Sequence, residues 1–232
     1  MEKAIVLLSG GQDSATCLFW AKEKFPLADA LFIHYEQRHK IEYQSARNLC
    51  QQEKVFLHEL SVPAFKEIGG TAMIEEKLIT NPEHGIPNTF VPGRNILFLT
   101  LAAALGYKLN ASNLVIGVNE ADYSGYPDCR SDFIRQMEKT LSLGMDFRLT
   151  IHTPLQFLDK SQIWELSYQL GVMEHIVKET HTCYIGDHTT LHEWGYGCGT
   201  CPACKLRANG YFKFMERQKN KDLSQEPKKS GE

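Results

Sequence analysis

The sequence predicts an α/β protein built on a doubly wound parallel sheet, with a small C-terminal zinc-binding subdomain. Three observations carry that expectation. Short apolar runs alternate with amphipathic stretches over residues 3–60, a glycine turn (SGGQDS, 9–14) joins the first run to the first amphipathic stretch, and four cysteines gather near the C-terminus. Strand–helix–strand alternation implies right-handed crossovers and therefore parallel pairing.

Residues 3–8 form a continuous apolar run closed by a turn signal, which reads as a buried strand. Positions 13–24 follow as a helix with Ala15, Leu18, Phe19 and Ala21 on its apolar side. Residues 28–35 (ADALFIHY) supply a second strand, 41–53 a second helix and 55–60 a third strand. From 61 to 93 the periodicity dissolves among Gly69, Gly70, Pro82, Gly85, Pro87 and Pro92. So long an irregular connection suits an active-site flap as well as an ordinary excursion. The stretch 95–109 is apolar nearly all round and reads as a buried helix. A fourth strand at 114–118, a helix at 131–143, a fifth strand at 149–152 and a last large helix at 159–170 complete the pattern. Beyond His175 periodicity is scarce until 205–218. The chain thus divides into an α/β domain, residues 1–174, and a zinc-binding segment, 175–232, with a terminal helix and tail.

A chain of 232 residues can bury a sizeable core without staples. A net charge of −3 argues against a general nucleic-acid binder, and the basic excess sits in a solvated Lys-rich tail from residue 205 onward. No apolar run approaches the ~18 residues of a membrane span, and the N-terminal run is too short for a signal peptide. A cytoplasmic protein with reduced thiols is expected, so its seven cysteines point to metal or chemistry rather than disulfides.

The turn SGGQDS lies at the carboxyl end of the first strand, where doubly wound sheets bind ligands. Gly10 and Gly11 permit close backbone approach, and the free N–H groups of the helix start suit a phosphate. Ser9 and Ser14 add hydroxyl donors. Neither a Walker loop nor a dinucleotide fingerprint fits, because Asp13 stands where a cation would. A carboxylate beside a polyphosphate makes sense with Mg²⁺ between them; a plain helix cap is the competing reading.

Among the cysteines, Cys198, Cys201 and Cys204 form a C-x-x-C-x-x-C run, and Cys183 lies upstream. Four thiolates satisfy one closed, structural tetrahedral Zn²⁺ site. An iron–sulfur cluster also takes four cysteines, and His181, His188 or His192 could replace Cys183 as the fourth ligand. Cys17 and Cys50 read as small buried hydrophobes, and Cys129 falls outside the cluster.

SGGQDS resembles the S-G-G-x-D-[ST] pyrophosphate loop of the N-type ATP pyrophosphatases, whose Rossmann-like fold is of the adenine nucleotide alpha hydrolase type. IHYEQRHKIE (33–42), FVPGRNILFL (90–99), GVNEADYSGYPDCR (117–130), TPLQFLDKSQI (153–163) and the cysteine set narrow this likeness. Together they are similar to the 7-cyano-7-deazaguanine synthase family over nearly the whole chain. The resemblance implies cleavage of ATP between its α and β phosphates, with AMP and pyrophosphate released. It implies a ligase that takes ATP, ammonia and 7-carboxy-7-deazaguanine to the nitrile preQ0 through adenylated acid and amide, in queuosine biosynthesis. A tRNA thiolase or lysidine-forming enzyme on the same loop is the alternative.

On this likeness Leu8, Ser9, Gly10, Gly11, Gln12, Asp13, Ser14, Ala15, Thr16, Cys17 and Leu18 form the ATP-binding stretch. Asp13 and Ser14 would be catalytic, with Asp13 holding Mg²⁺, and Lys160 would neutralise charge that develops on the phosphates. Arg94 and Asn95, Asp122, Tyr126, Asp128 and Arg130 would bind the substrate, Arg94 through a phosphate or carboxylate, with Asp128 and Arg130 the favoured pair for the base edge and its carboxyl group. A homodimer is also compatible with the resemblance.

Overall fold

Along the first strand, Ala4, Val6 and Leu8 point to one side, Ile5 and Leu7 to the other, and all five are buried. A strand that is apolar on both faces must be covered on both faces. That requirement sets the architecture in the computed structural model, which describes residues 2–80, 85–120 and 126–225.

Five strands form one sheet: β1 (Lys3–Leu7), β2 (Leu27–His34), β3 (Leu57–Ser61), β4 (Asn113–Val115) and β5 (Thr150–His152). Their order is β3-β2-β1-β4-β5 and every neighbouring pair is parallel. The chain winds outward from β1 in one direction and then, from β4, in the other. The switch point therefore lies between β1 and β4, where a crevice opens at the carboxyl ends of the strands.

Helices α1 (Gln12–Lys24) and α2 (Ile41–Glu53) follow the first two strands, and the short α3 (Ala64–Ile68) follows the third. Next come α4 (Arg94–Leu109), α5 (Ser131–Met145), α6 (Lys160–Gln169), α7 (Met173–Glu179) and α8 (Pro202–Gln225). A two-stranded antiparallel hairpin, β6 (Leu191–His192) and β7 (Gly195–Tyr196), precedes α8. Helices α4 and α5 cover one face of the sheet, where Leu99, Ala103, Ile134 and Leu141 meet Ile5, Leu31 and Leu114. The other face carries α1, α2, α6, α7 and α8, where Leu18, Leu49, Ile163, Trp164, Ile176 and Phe214 share one core with Val6 and Phe32. Among the described residues, no helix is long and apolar enough to cross a membrane.

The structure corrects three sequence expectations. The 61–93 connection is not wholly irregular, since it contains α3. Helix α4 is not buried all round: Ile96 is 48% and Tyr107 58% exposed, so the outer stripe of an apolar helix faces solvent. Finally, α6 is not the last large helix. Helix α8 has 24 residues and begins at once after Cys201, with Pro202 in its first position, where the missing N–H costs nothing. The Cys204 backbone N–H donates to the Cys201 sulfur at 3.5 Å, so a thiol does the work of a capping serine.

One turn into α8, Arg207 is fully buried. Its guanidinium donates to the Trp194 and Ile176 carbonyl oxygens at 2.8 Å and to the Thr182 hydroxyl at 2.9 Å. These bonds hold the hairpin, α7 and the Cys183 segment around α8. The Trp164 indole N–H donates to the Arg207 carbonyl at 3.2 Å and joins α6 to the same knot.

Candidate active site

The phosphate-loop candidate is preorganised by its own hydroxyls. Ser14 Oγ accepts from the Ser9 N–H at 3.1 Å, pairs with Ser9 Oγ at 3.0 Å and donates to the Gly11 carbonyl at 3.1 Å. Gly10 sits at φ +86°, and a Cβ there would overlap the Glu42 carbonyl oxygen on α2. Any side chain would therefore push the loop off α2 as well as strain its backbone. Gly11 is the N-cap of α1 and supplies no side-chain cap, so the first N–H groups of the helix remain open to a ligand. Gln12, the first residue of α1, is 1% exposed, and among the described residues neither atom of its amide has a hydrogen-bond partner.

Asp13 projects from this turn to meet Lys160. The Lys160 ammonium donates to both carboxylate oxygens, at 2.9 and 2.8 Å. Lys160 opens α6, and Asp159 caps that helix in a reciprocal capping box with Gln162. The box fixes where the helix starts, and so where the ammonium emerges. Helix α1 is bound to α6 a turn deeper by the buried Thr16–Ser167 hydroxyl pair at 2.9 Å.

The loop and the ion pair stand on the wall of a cavity of about 330 Å³ at the carboxyl ends of β1, β2 and β4. That volume is within the range of small-ligand sites. Leu8, Ser9, Gly11, Gln12, Asp13, Ser14 and Lys160 line it, together with Arg94, Asn95 and Tyr126. Gly10 turns the loop from behind, while Ala15, Cys17 and Leu18 pack into the core and Thr16 bonds to α6. Arg94 opens α4 after Gly93 (φ +79°) and lies over the Tyr35 ring, 5.7 Å from its centroid.

The residues expected to read a base separate at this point. Asp128 is 5% exposed and off the cavity wall, its carboxylate accepting from the Asn95 N–H at 3.3 Å. It holds the first turn of α4. Arg130 is exposed, is the N-cap residue of α5 and does not reach the cavity. Asp122 lies outside the described residues.

Several cavity residues were not singled out from the sequence: Tyr35, Gln37 and Glu42 after β2, Asn119 after β4, and Thr182 and Tyr184 beside Cys183; His181, considered there only as a metal ligand, also lines the cavity. The switch-point rule carried the available signal, because it directs attention to the ends of β2 and β4 as well as of β1. Burial pushes the Glu42 carboxyl up to about 7 although Arg94 opposes the shift, and burial pushes the Tyr35 hydroxyl up to about 12. Burial holds His181 down to about 4, so its ring is neutral.

The metal-centre candidate adjoins the same wall. One sulfur from each of Cys183, Cys198, Cys201 and Cys204 lies within 4.8 Å of the others. Cys183 and Cys201 are 4.0 Å apart and Cys198 and Cys204 3.9 Å. Tetrahedral bonds of about 2.3 Å place ligand sulfurs roughly 3.8 Å apart, so the set could hold one metal ion. The hydrogen-bonded Cys204 thiol draws the Cys201 thiol down, against burial and with help from backbone N–H groups of Cys204 and Tyr184. A metal ligand needs that ionised state. The His181 N–H donates to the Gly10 carbonyl at 2.9 Å, which connects this segment to the phosphate loop.

Comparison with known proteins agrees with this layout. The family described as "Queuosine biosynthesis protein QueC" matches residues 3–215. The chain is 47% identical to the 7-cyano-7-deazaguanine synthase of Gluconobacter oxydans (strain 621H), over 92% of this chain and 93% of that protein. The enzyme of the same name from Methylorubrum extorquens (strain PA1) is 47% identical over 91% and 93%. That from Lawsonia intracellularis (strain PHE/MN1-00) is 46% identical over 94% and 97%.

Proposed function

The chain belongs to the queuosine biosynthesis protein QueC family, and from that premise we propose that it makes 7-cyano-7-deazaguanine from 7-carboxy-7-deazaguanine, ammonia and ATP. A carboxylate resists attack by ammonia because its oxygen is a poor leaving group. Attack of that oxygen on the α-phosphorus of ATP expels pyrophosphate and turns the oxygen into part of AMP. Ammonia then adds to the carbonyl carbon and, after a proton is lost, AMP leaves and the amide remains. The amide oxygen attacks a second ATP and again expels pyrophosphate. Loss of AMP and the nitrogen-bound protons yields the nitrile.

The residues divide this work. The open N–H groups at the start of α1 and the Ser9 and Ser14 hydroxyls hold the departing pyrophosphate. Lys160 balances negative charge that grows on the phosphates in the transition state. Asp13 offers hard oxygen ligands on the cavity wall that suit Mg²⁺, which when bound neutralises the phosphates. The four cysteines suit structural Zn²⁺, which when bound cross-links the Cys183 segment to the start of α8.

What supports the reading above all is a meeting across the sequence: Asp13 of the glycine turn and Lys160 of α6 join at the cavity that opens at the switch point. Incubation with ATP, ammonium and the 7-carboxy base should give AMP, pyrophosphate and the nitrile, with two ATP consumed per nitrile. Asp13→Ala should abolish product while leaving the fold and metal content unchanged. Accumulation of ADP in place of AMP, or no nitrile with intact protein, would overturn the proposal.

A further inference from the structure

A deazaguanine base presents a fixed pattern on its pairing edge: one carbonyl acceptor, then a ring N–H, then an exocyclic amine. Its receptor must set a cationic or neutral donor next to an acceptor that can take two N–H groups. Among the described residues on the cavity wall, the acidic side chains are Asp13 and Glu42. Asp13 is held by both of its oxygens to Lys160. Asp128, the acid favoured from the sequence, is off the wall and engaged with Asn95.

Glu42 differs from both. It occupies the first turn of α2, lines the cavity, and its backbone carbonyl is the atom against which Gly10 packs. The carboxylate is therefore anchored to the back of the phosphate loop. Arg94, which lines the same cavity, is the counter-charge that acts on it, and no described residue donates it a hydrogen bond. Arg94 is braced by Tyr35, whose hydroxyl accepts from the guanidinium at 3.5 Å, and Tyr35 packs edge-on against Phe98 at 5.6 Å. A braced donor-only group thus shares the cavity wall with an acceptor that has open lone pairs.

We propose that Glu42 is the specificity-determining acid of this site. Its carboxylate accepts from the ring N–H and exocyclic amine of the base, while Arg94 donates to the neighbouring carbonyl oxygen. This assignment rests on the function proposed above and names the residues that select its substrate. It explains why a carboxyl stands on this cavity wall, where burial disfavours its charge: the ligand brings the missing donors.

The test is a two-by-two comparison of wild type and Glu42→Gln, with 7-carboxy-7-deazaguanine and with the analogue that lacks the exocyclic amine. AMP release gives kcat/KM, and calorimetry without ATP gives base affinity. Wild type should prefer the amine-bearing base by about 100-fold, as expected where a lost partner leaves a buried polar group unpaired. In Glu42→Gln that preference should fall to within about threefold, chiefly through KM, with melting behaviour showing a folded variant. Equal losses on both bases would overturn the assignment, because a purely structural or proton-transfer role is blind to the amine. Wild type that ignores the amine would overturn it without any variant. Wild type that turns over neither base would instead sink the function on which the assignment rests.

Discussion

Asp13 and Lys160 are far apart in sequence and bonded in space, and neither can be understood alone. Lys160 is the more enclosed, with its side chain 10% exposed against 28% for Asp13. Removing the ammonium leaves an unpaired acid, which costs stability. Glu42 behaves in the opposite sense. Its folded-state pKa is raised to about 7 from 4.5, so its favourable contribution is full below about pH 4.5 and is lost as pH rises through 7. Arg94 is the charge that moderates this loss, and the shift is worth at most about 3 kcal/mol. Without ligand, Glu42→Gln should melt higher than wild type at pH 8, and the gap should close near pH 5. Melts across that range check it, and parallel curves would refute it. Asp13 and Lys160 were legible from the sequence because a motif fixes their types and spacing. Glu42 was not, because its role depends on the turn that folds α2 beneath Gly10, and no local pattern encodes that contact.

Elements position these side chains through their ends and their contacts. The capping box at Asp159 sets the first residue of α6, and α8 then passes so closely that a Cβ on Gly210 would stand 2.7 Å from Lys160 Cβ. A glycine inside a helix costs about 1 kcal/mol of helix stability. Here it lets α8 pack directly on the residue whose ammonium pairs with Asp13. Gly210→Ala should therefore move Lys160 despite better helix propensity, with AMP release falling roughly tenfold to hundredfold and stability by about 1–3 kcal/mol. Parental turnover in that variant would show that the spacing is not needed. Apart from the short α3, strands and helices through α6 were legible because their apolar periodicity is strong. The start of α8 was not: Cys201, Pro202 and Cys204 dominate its first turn, and thiols and Arg207 replace the apolar pattern that normally announces a helix.

At the scale of the molecule, the cysteine segment is not an appendage to the sheet's core. Trp194, Cys183, Cys204 and Phe214 belong to the same buried cluster as Leu18 and Phe32. Thr182, Tyr184, Ala203 and Leu206, all within two residues of a cluster cysteine, form cavity wall. The His181 N–H to Gly10 carbonyl bond extends that influence to the phosphate loop. The β-α-β rhythm foretold the winding of the sheet, since crossovers obey fixed handedness. It could not foretell that the C-terminal segment returns to close the crevice, because that return is written in long-range polar contacts. A bound metal ion would hold this wall in place, so its removal should act on two quantities at once. Stripping it with a chelator should lower the melting temperature by at least about 10 °C, since several kcal/mol of cross-linking energy disappear. At a temperature where the metal-free protein is still folded, nucleotide affinity should fall at least about tenfold, because the loop loses the segment bonded to Gly10. Calorimetric titration with a non-hydrolysable ATP analogue measures the second effect separately from the first. Unchanged affinity in folded, metal-free protein would mean that the cysteine centre stabilises the fold without shaping the phosphate loop.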